Sequence, residues 1–169
     1  DSHGLDNVEF LFKPFPSSDY LPMGSSASGG ELSRLMLAME LVAAKFNNSD
    51  SHSMTFIFDE VDAGVGGVAA VELGKRLAQL AKSSQVIVVT HLAQVASFAD
   101  VQFVVRKSFS DSSVSGDFSN DFNSSLVVDT TVTKLDDSQR EQEIARMLSG
   151  SQSQASLEHA RELLKTSKI

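Results

Sequence analysis

Thr55-Phe56-Ile57-Phe58-Asp59-Glu60-Val61-Asp62 opens as a short apolar run and breaks off into adjacent carboxylates. A strand buried on both faces has this look, because helices covering a parallel sheet leave no solvated side for polar residues to alternate onto. Residues that end such a strand lie at the carboxyl edge of the sheet, where open α/β folds bind ligands. Asp59 and Glu60 are therefore candidate site residues, although adjacent acids also occur in ordinary solvated loops.

Moving downstream, Ala63-Gly64-Val65-Gly66-Gly67 predicts a flexible turn, and Val71, Leu73 or Gly74, Leu77, Ala78 and Leu80 give an amphipathic helix over Val68 to Leu80. Gln85 to Thr90 is a second buried strand, which completes a β-α-β crossover of the usual right-handed kind. His91 closes it, so two parallel strands bring Asp59, Glu60 and His91 to one sheet edge. A lone His after a strand is more often a loop residue, but this convergence raises it. Upstream, Leu32, Leu35, Met36, Met39 and Val42 or Ala43 predict a helix reaching Lys45 or Phe46, preceded by Ser28-Gly29-Gly30-Glu31. Free N–H groups in a first helical turn, with glycines that let an anion come close, suit a phosphate. Plain N-capping by Ser28 explains the same residues equally well.

The flanks are plainer. Val8 to Phe12 predicts a strand stopped by Pro14 and Pro16, Leu92 to Phe98 a short helix, and Val101 to Val105 a third strand ending in Arg106-Lys107. Ser108 to Ser125 is dominated by Ser, Asp, Asn and Gly, which predicts a mobile loop. Leu126 to Leu135 returns as the hairpin partner of the third strand. Ser138 and Glu141 have capping-box spacing for a helix through Ile144, Met147 and Leu148 that Gly150 stops. A last helix runs from Gln154 to Lys165, with Leu157, Ala160, Leu163 and Leu164 on its packing face. The whole reads as one α/β domain over 1–169 with parallel core strands flanked by helices and a C-terminal hairpin and helices.

Composition narrows the function. A chain of 169 residues with 41% hydrophobic and 21% charged residues suffices for a single core. A net charge of −8 argues against a nucleic-acid grip built from these residues alone, since phosphate contact draws on clustered Lys and Arg. With no Cys there is neither a disulfide framework nor a thiolate metal site, and the four His are not at ligand spacing. No apolar run reaches the roughly 18 residues of a membrane helix, and the start lacks a basic stretch followed by an apolar one, so the chain reads as soluble and unexported.

Ser28-Gly29-Gly30-Glu31 resembles the signature motif of ABC-type ATPases, Thr55 to Glu60 their Walker B strand, Val61-Asp62-Ala63-Gly64 their D-loop, and Thr90-His91 their switch-histidine loop. Ala27 to Arg34, Phe58 to Gly67 and Val89 to Ala96 are similar to the RecN family of SMC-like ATPases in bacterial double-strand-break repair. The likeness covers Val8 to Lys107 and resumes from Thr131 through Gly150. It implies a partial P-loop NTPase fold, the C-terminal part of a split head, in a cytoplasmic, nucleoid-associated protein.

The same likeness implies roles. Asp59 would hold Mg²⁺ through water, Glu60 would orient and deprotonate the attacking water, and His91 would contact the γ-phosphate of ATP. Ser28, Gly29, Gly30 and Glu31 would serve the ATP of an opposing head, and Asp62 would contact across that interface. The implied partners are an N-terminal P-loop segment with its coiled coil, a second head, and DNA through the complete protein, with no membrane.

The chain departs from the family pattern twice. It has no Gly-x-x-x-x-Gly-Lys-Ser/Thr, because Gly74-Lys75-Arg76 lacks both the preceding Gly and the hydroxyl residue. Its Ser/Asp-rich stretch is also longer than the family's hairpin loop. The alternatives are a head of another ABC-type ATPase, SMC-like or transporter, or a non-catalytic interaction module for which Asp59 and Glu60 are dispensable.

Overall fold

The computed structural model describes residues 4–6, 8–13, 15–23, 27–46, 54–110 and 127–168, which pack as two compact units, 1–98 with 167–169 and 99–166. In the first unit, β1 (Leu11–Phe12) pairs antiparallel with β2 (Leu21–Pro22). There follow α1 (Gly29–Phe46), β3 (Thr55–Phe58), α2 (Gly67–Ala81), β4 (Gln85–Val88) and a single turn of helix, α3 (Ala93–Ala96). β1 is shorter than the expected Val8 to Phe12 strand, and Val8 and Phe10 are 78% and 60% exposed, so little packing holds an extended run there.

β3 and β4 are parallel, in register from Thr55 opposite Gln85 to Phe58 opposite Val88, and Val89 N–H donates to Phe58 O at 3.0 Å beyond the last pair. The two strands expected from their apolar runs are thus adjacent and end together. Phe58 joins Leu37 of α1, Leu73, Leu77 and Leu80 of α2, and Val95 of α3 in the core, with Phe56 packed against it. The pleat turns Ile57 to the other side, where it is 70% exposed. Burial on both faces is therefore not met: Ile57, Ile87 and Val89 stay exposed, and among the described residues β3 pairs only with β4.

Gly74 lies where α2 meets the segment after α3. A Cβ built there would overlap Phe98 Cδ2, closer than real side chains approach, and would stand 3.0 Å from Phe98 Cε2 and 3.1 Å from Gln94 O. Gly74→Ala is expected to destabilise the fold by about 1–3 kcal/mol, the usual penalty for overpacking, despite the better helix propensity of Ala. Urea unfolding reads this as a lower midpoint, and an unchanged or higher midpoint would show that Phe98 yields freely.

In the second unit, β5 (Phe103–Ser110) and β6 (Val127–Lys134) form an antiparallel hairpin from Phe103 opposite Lys134 to Ser110 opposite Val127. Arg106 and Lys107 lie within β5 rather than ending it, because pairing with β6 continues past them. The expected Ser108 to Ser125 loop gives up Ser108 to Ser110 to this strand, and 111–126 fall outside the described residues. Helices α4 (Asp137–Ser149) and α5 (Gln154–Thr166) follow, burying Ile144, Ala145 and Ala160. The capping box of α4 is Asp136 with Gln139, not Ser138 with Glu141, and Gly150 at φ 71° ends the helix as expected. No helix among the described residues is long and apolar enough to cross a membrane.

Candidate functional site

The shared register of β3 and β4 carries Asp59-Glu60 and His91 to the same end of the strand pair. Directly after β3 the chain folds into a tight turn. Glu60 N–H donates to Asp59 Oδ1 at 3.0 Å, Ala63 N–H to Glu60 O at 3.0 Å, and Val65 N–H to Asp62 O at 3.1 Å. Glu60 takes φ 57°, the one described residue other than glycine in the left-handed region. Such a conformation costs on the order of 1–3 kcal/mol and persists only where the surroundings impose it.

The start of α1 packs onto this turn. A Cβ on Gly29 would lie 3.1 Å from Glu60 Oε2, and one on Gly30 would lie 2.9 Å from Glu60 O and 3.1 Å from Arg34 Nη1. The glycines stand inside the first turn of α1, not before it, because Ser28 is the capping residue. Glu31 N–H donates to Ser28 Oγ at 3.3 Å, while the Glu31 carboxylate accepts from Ser28 N–H at 2.8 Å and from its hydroxyl at 2.9 Å. These bonds, the backbone one first, hold the Glu31 carboxyl below its ordinary range, with the Arg34 charge adding to the effect. Capping and the proposed phosphate chemistry thus draw on the same residues. The carboxylates of Glu31 and Glu60 both stand at the helix start, which works against an unaccompanied anion there.

Asp62 faces inward. Only 3% exposed, its Oδ2 accepts the Thr90 hydroxyl at 2.6 Å and His91 N–H at 3.2 Å, and lies 3.3 Å from His91 Nδ1. In this structure the Asp62 carboxylate, for which the resemblance implies a contact across an interface, is engaged with the histidine loop. The His91 side chain is 76% exposed, and pairing through Nδ1 leaves Nε2 on the outer edge of the ring. Leu92 N–H donates to Thr90 Oγ1 at 3.0 Å, so the whole loop hangs on the Asp62–Thr90 pair.

Among the described residues no group of three or more His, Asp and Glu is gathered for a metal. The exposed Asp59, one oxygen of which is engaged by Glu60 N–H, offers the single carboxylate that Mg²⁺ uses when it arrives with substrate phosphates and keeps most of its waters. The donor set fits a cation brought with nucleotide and not an all-protein cage.

Ser33, Arg34 and Thr90, which the motifs contain without assigning them a role, hold the site together. Ser33 Oγ donates to Asp59 O at 3.1 Å, and Arg34 Nη1 donates to Val61 O at 3.2 Å and Ala63 O at 2.9 Å. The spacing was a usable signal, because Arg34 follows Gly30 by one helical turn and shares its face.

Against known proteins, the chain is 47% identical over 166 residues to the DNA repair protein RecN of Streptomyces coelicolor, a match covering 98% of this chain and 26% of that protein. It is 46% identical over 164 residues to DNA repair protein RecN of Mycobacterium tuberculosis, covering 96% of the chain and 25% of the relative. For Deinococcus radiodurans RecN the identity is 42% over 163 residues, with 96% and 25% covered. The chain spans about a quarter of the length of the curated relatives it matches, a C-terminal segment of them. No model of a protein family matches it.

Proposed function

This chain is a RecN-like C-terminal segment, and we propose that it is one part of a split ABC-type ATPase head serving DNA double-strand-break repair. The observation that carries this reading is the meeting of Glu60 with the glycine pair of α1 at the strand end where His91 also emerges. Each residue type has a task there. The left-handed turn projects Glu60 beyond β3, where its carboxylate orients and deprotonates a water. His91, steadied through Nδ1 by Asp62, presents Nε2 to a γ-phosphate. Asp59 would hold Mg²⁺, and the ion would supply neutralisation of phosphate charge. Ser28, Gly29 and Gly30 meet the nucleotide of a second head, where the α1 N-terminus complements phosphate charge.

The open face of the strand pair supports a missing neighbour. Ile57, Ile87 and Val89 are 70%, 46% and 59% exposed. Parallel sheets of α/β proteins are covered on both faces. A P-loop-bearing segment of the same protein is the proposed cover, with ATP joining two such heads and the complete protein holding DNA. The test is ATP turnover by this chain alone and after co-production with the P-loop segment of its own protein. Turnover that arises only on pairing supports the reading. Equal turnover by the chain alone overturns it, and so does a folded, ATP-binding pair that remains inert with and without DNA.

A further inference from the structure

We infer that Arg34, assisted by Ser33, is a positioning residue that sets Glu60 through the backbone of its turn, an inference that rests on the reading of Glu60 above. The five carbonyls from Asp59 to Ala63 all have partners, and side chains of α1 supply three of them. Ser33 takes Asp59 O, and Arg34 takes Val61 O and Ala63 O. The other two, of Glu60 and Asp62, accept N–H groups from Ala63 and Val65 within the turn.

The α1 donors therefore flank the strained residue on both sides. They supply, beyond the two bonds within the turn, the outside constraint that a left-handed glutamate requires. A cationic donor also binds carbonyl oxygens more strongly than a neutral one. Gly30 is part of the device: a side chain there would stand 3.1 Å from Arg34 Nη1 and 2.9 Å from Glu60 O, so the absent Cβ is the space through which helix and turn meet.

Functionally, Arg34 ties the helix whose start meets one nucleotide to the turn that acts on the other. A displacement of the α1 N-terminus on contact with phosphate is passed to Glu60 through these carbonyls. Arg34 itself touches neither substrate nor the reacting water.

The test uses the complete protein with Arg34→Met, which keeps the aliphatic bulk without the donors, and Arg34→Lys, which keeps a charged donor. Hydrogen exchange without nucleotide reads the strap directly, and Arg34→Met is expected to speed exchange in peptides covering 59–65 while Arg34→Lys restores part of the protection. In steady state, Arg34→Met should lower kcat by about tenfold or more with KM changed by less than about twofold, as for a group acting only in the transition state. In a Glu60→Gln background the same substitution should change the single-turnover rate by less than about twofold, because residues acting as a unit are non-additive.

Unchanged exchange at 59–65, or a full additional loss in the Glu60→Gln background, overturns the inference and leaves the ATPase reading standing. Full turnover by the Glu60→Gln protein removes Glu60 from catalysis and takes the inference with it.

Discussion

Glu60→Gln in the complete protein is expected to slow ATP hydrolysis by about 10²- to 10⁴-fold, the range a positioned general base contributes, while ATP binding persists. The substitution suits the site. Gln has the shape of Glu and accepts the same φ of 57°, so the turn held from α1 is preserved, and Gly29 beside Oε2 leaves room for an amide. What is lost is the capacity to take a proton from water. Phosphate release and equilibrium nucleotide binding, measured on the same preparation, separate the effects. Slowed release with intact binding is the expected pair of results, whereas undiminished release would assign the base to another residue.

Asp62→Ala carries the second large effect. Its carboxylate, 3% exposed, accepts from Thr90 Oγ1 and His91 N–H and sits against His91 Nδ1. Hydrogen bonds to a charged acceptor are each worth about 1.5–3 kcal/mol, and removing the acceptor strands the buried donors as well. Because bonds sharing one carboxylate do not add, the expected loss of stability is about 3 kcal/mol, read by urea unfolding. Turnover of the complete protein should fall with it as the histidine loop loses its anchor. Asp62→Asn, which keeps an acceptor oxygen without the charge, should recover most of the stability. An Ala variant as stable as the native protein would mean that the loop stands without Asp62.

β3, β4, β6, α2 and α5 were legible within a residue or two because apolar periodicity depends on the chain itself and on one buried face. Phe58 and Leu77 show this, as both sit in the core the pattern assigned them. Features decided by a partner were not legible. β5 outran its apolar run because β6 lies alongside, and Ile57 looked buried because composition does not say whether a covering element is present. The α4 cap fell between overlapping frames, Asp136 with Gln139 and Ser138 with Glu141, and either satisfies the rule. In the structure Asp136 accepts Gln139 N–H at 2.8 Å and its own N–H reaches Gln139 Oε1 at 3.0 Å.

At the site, the residue types and their gathering at one strand end followed from motif and topology. Which way a side chain turns did not. The inward turn of the Asp62 carboxylate to Thr90, and the reach of Arg34 to the carbonyls of Val61 and Ala63, depend on tertiary packing that residue type and spacing do not encode.

The Ser28–Glu31 box has a consequence for how firmly one head can hold another. The Ser28 N–H and hydroxyl already have an acceptor in the Glu31 carboxylate, at 2.8 and 2.9 Å. An arriving phosphate oxygen that takes either donor therefore trades one anion for another, and the gain is the difference between two similar bonds rather than the worth of a new one. Contact made by such a swap is shallow and quick to reverse, since the displaced carboxylate remains tethered one helical turn away, ready to return. On the proposed reading, a signature end built this way would act as a latch that opens readily once the γ-phosphate has gone, closing repeatedly rather than once and for long.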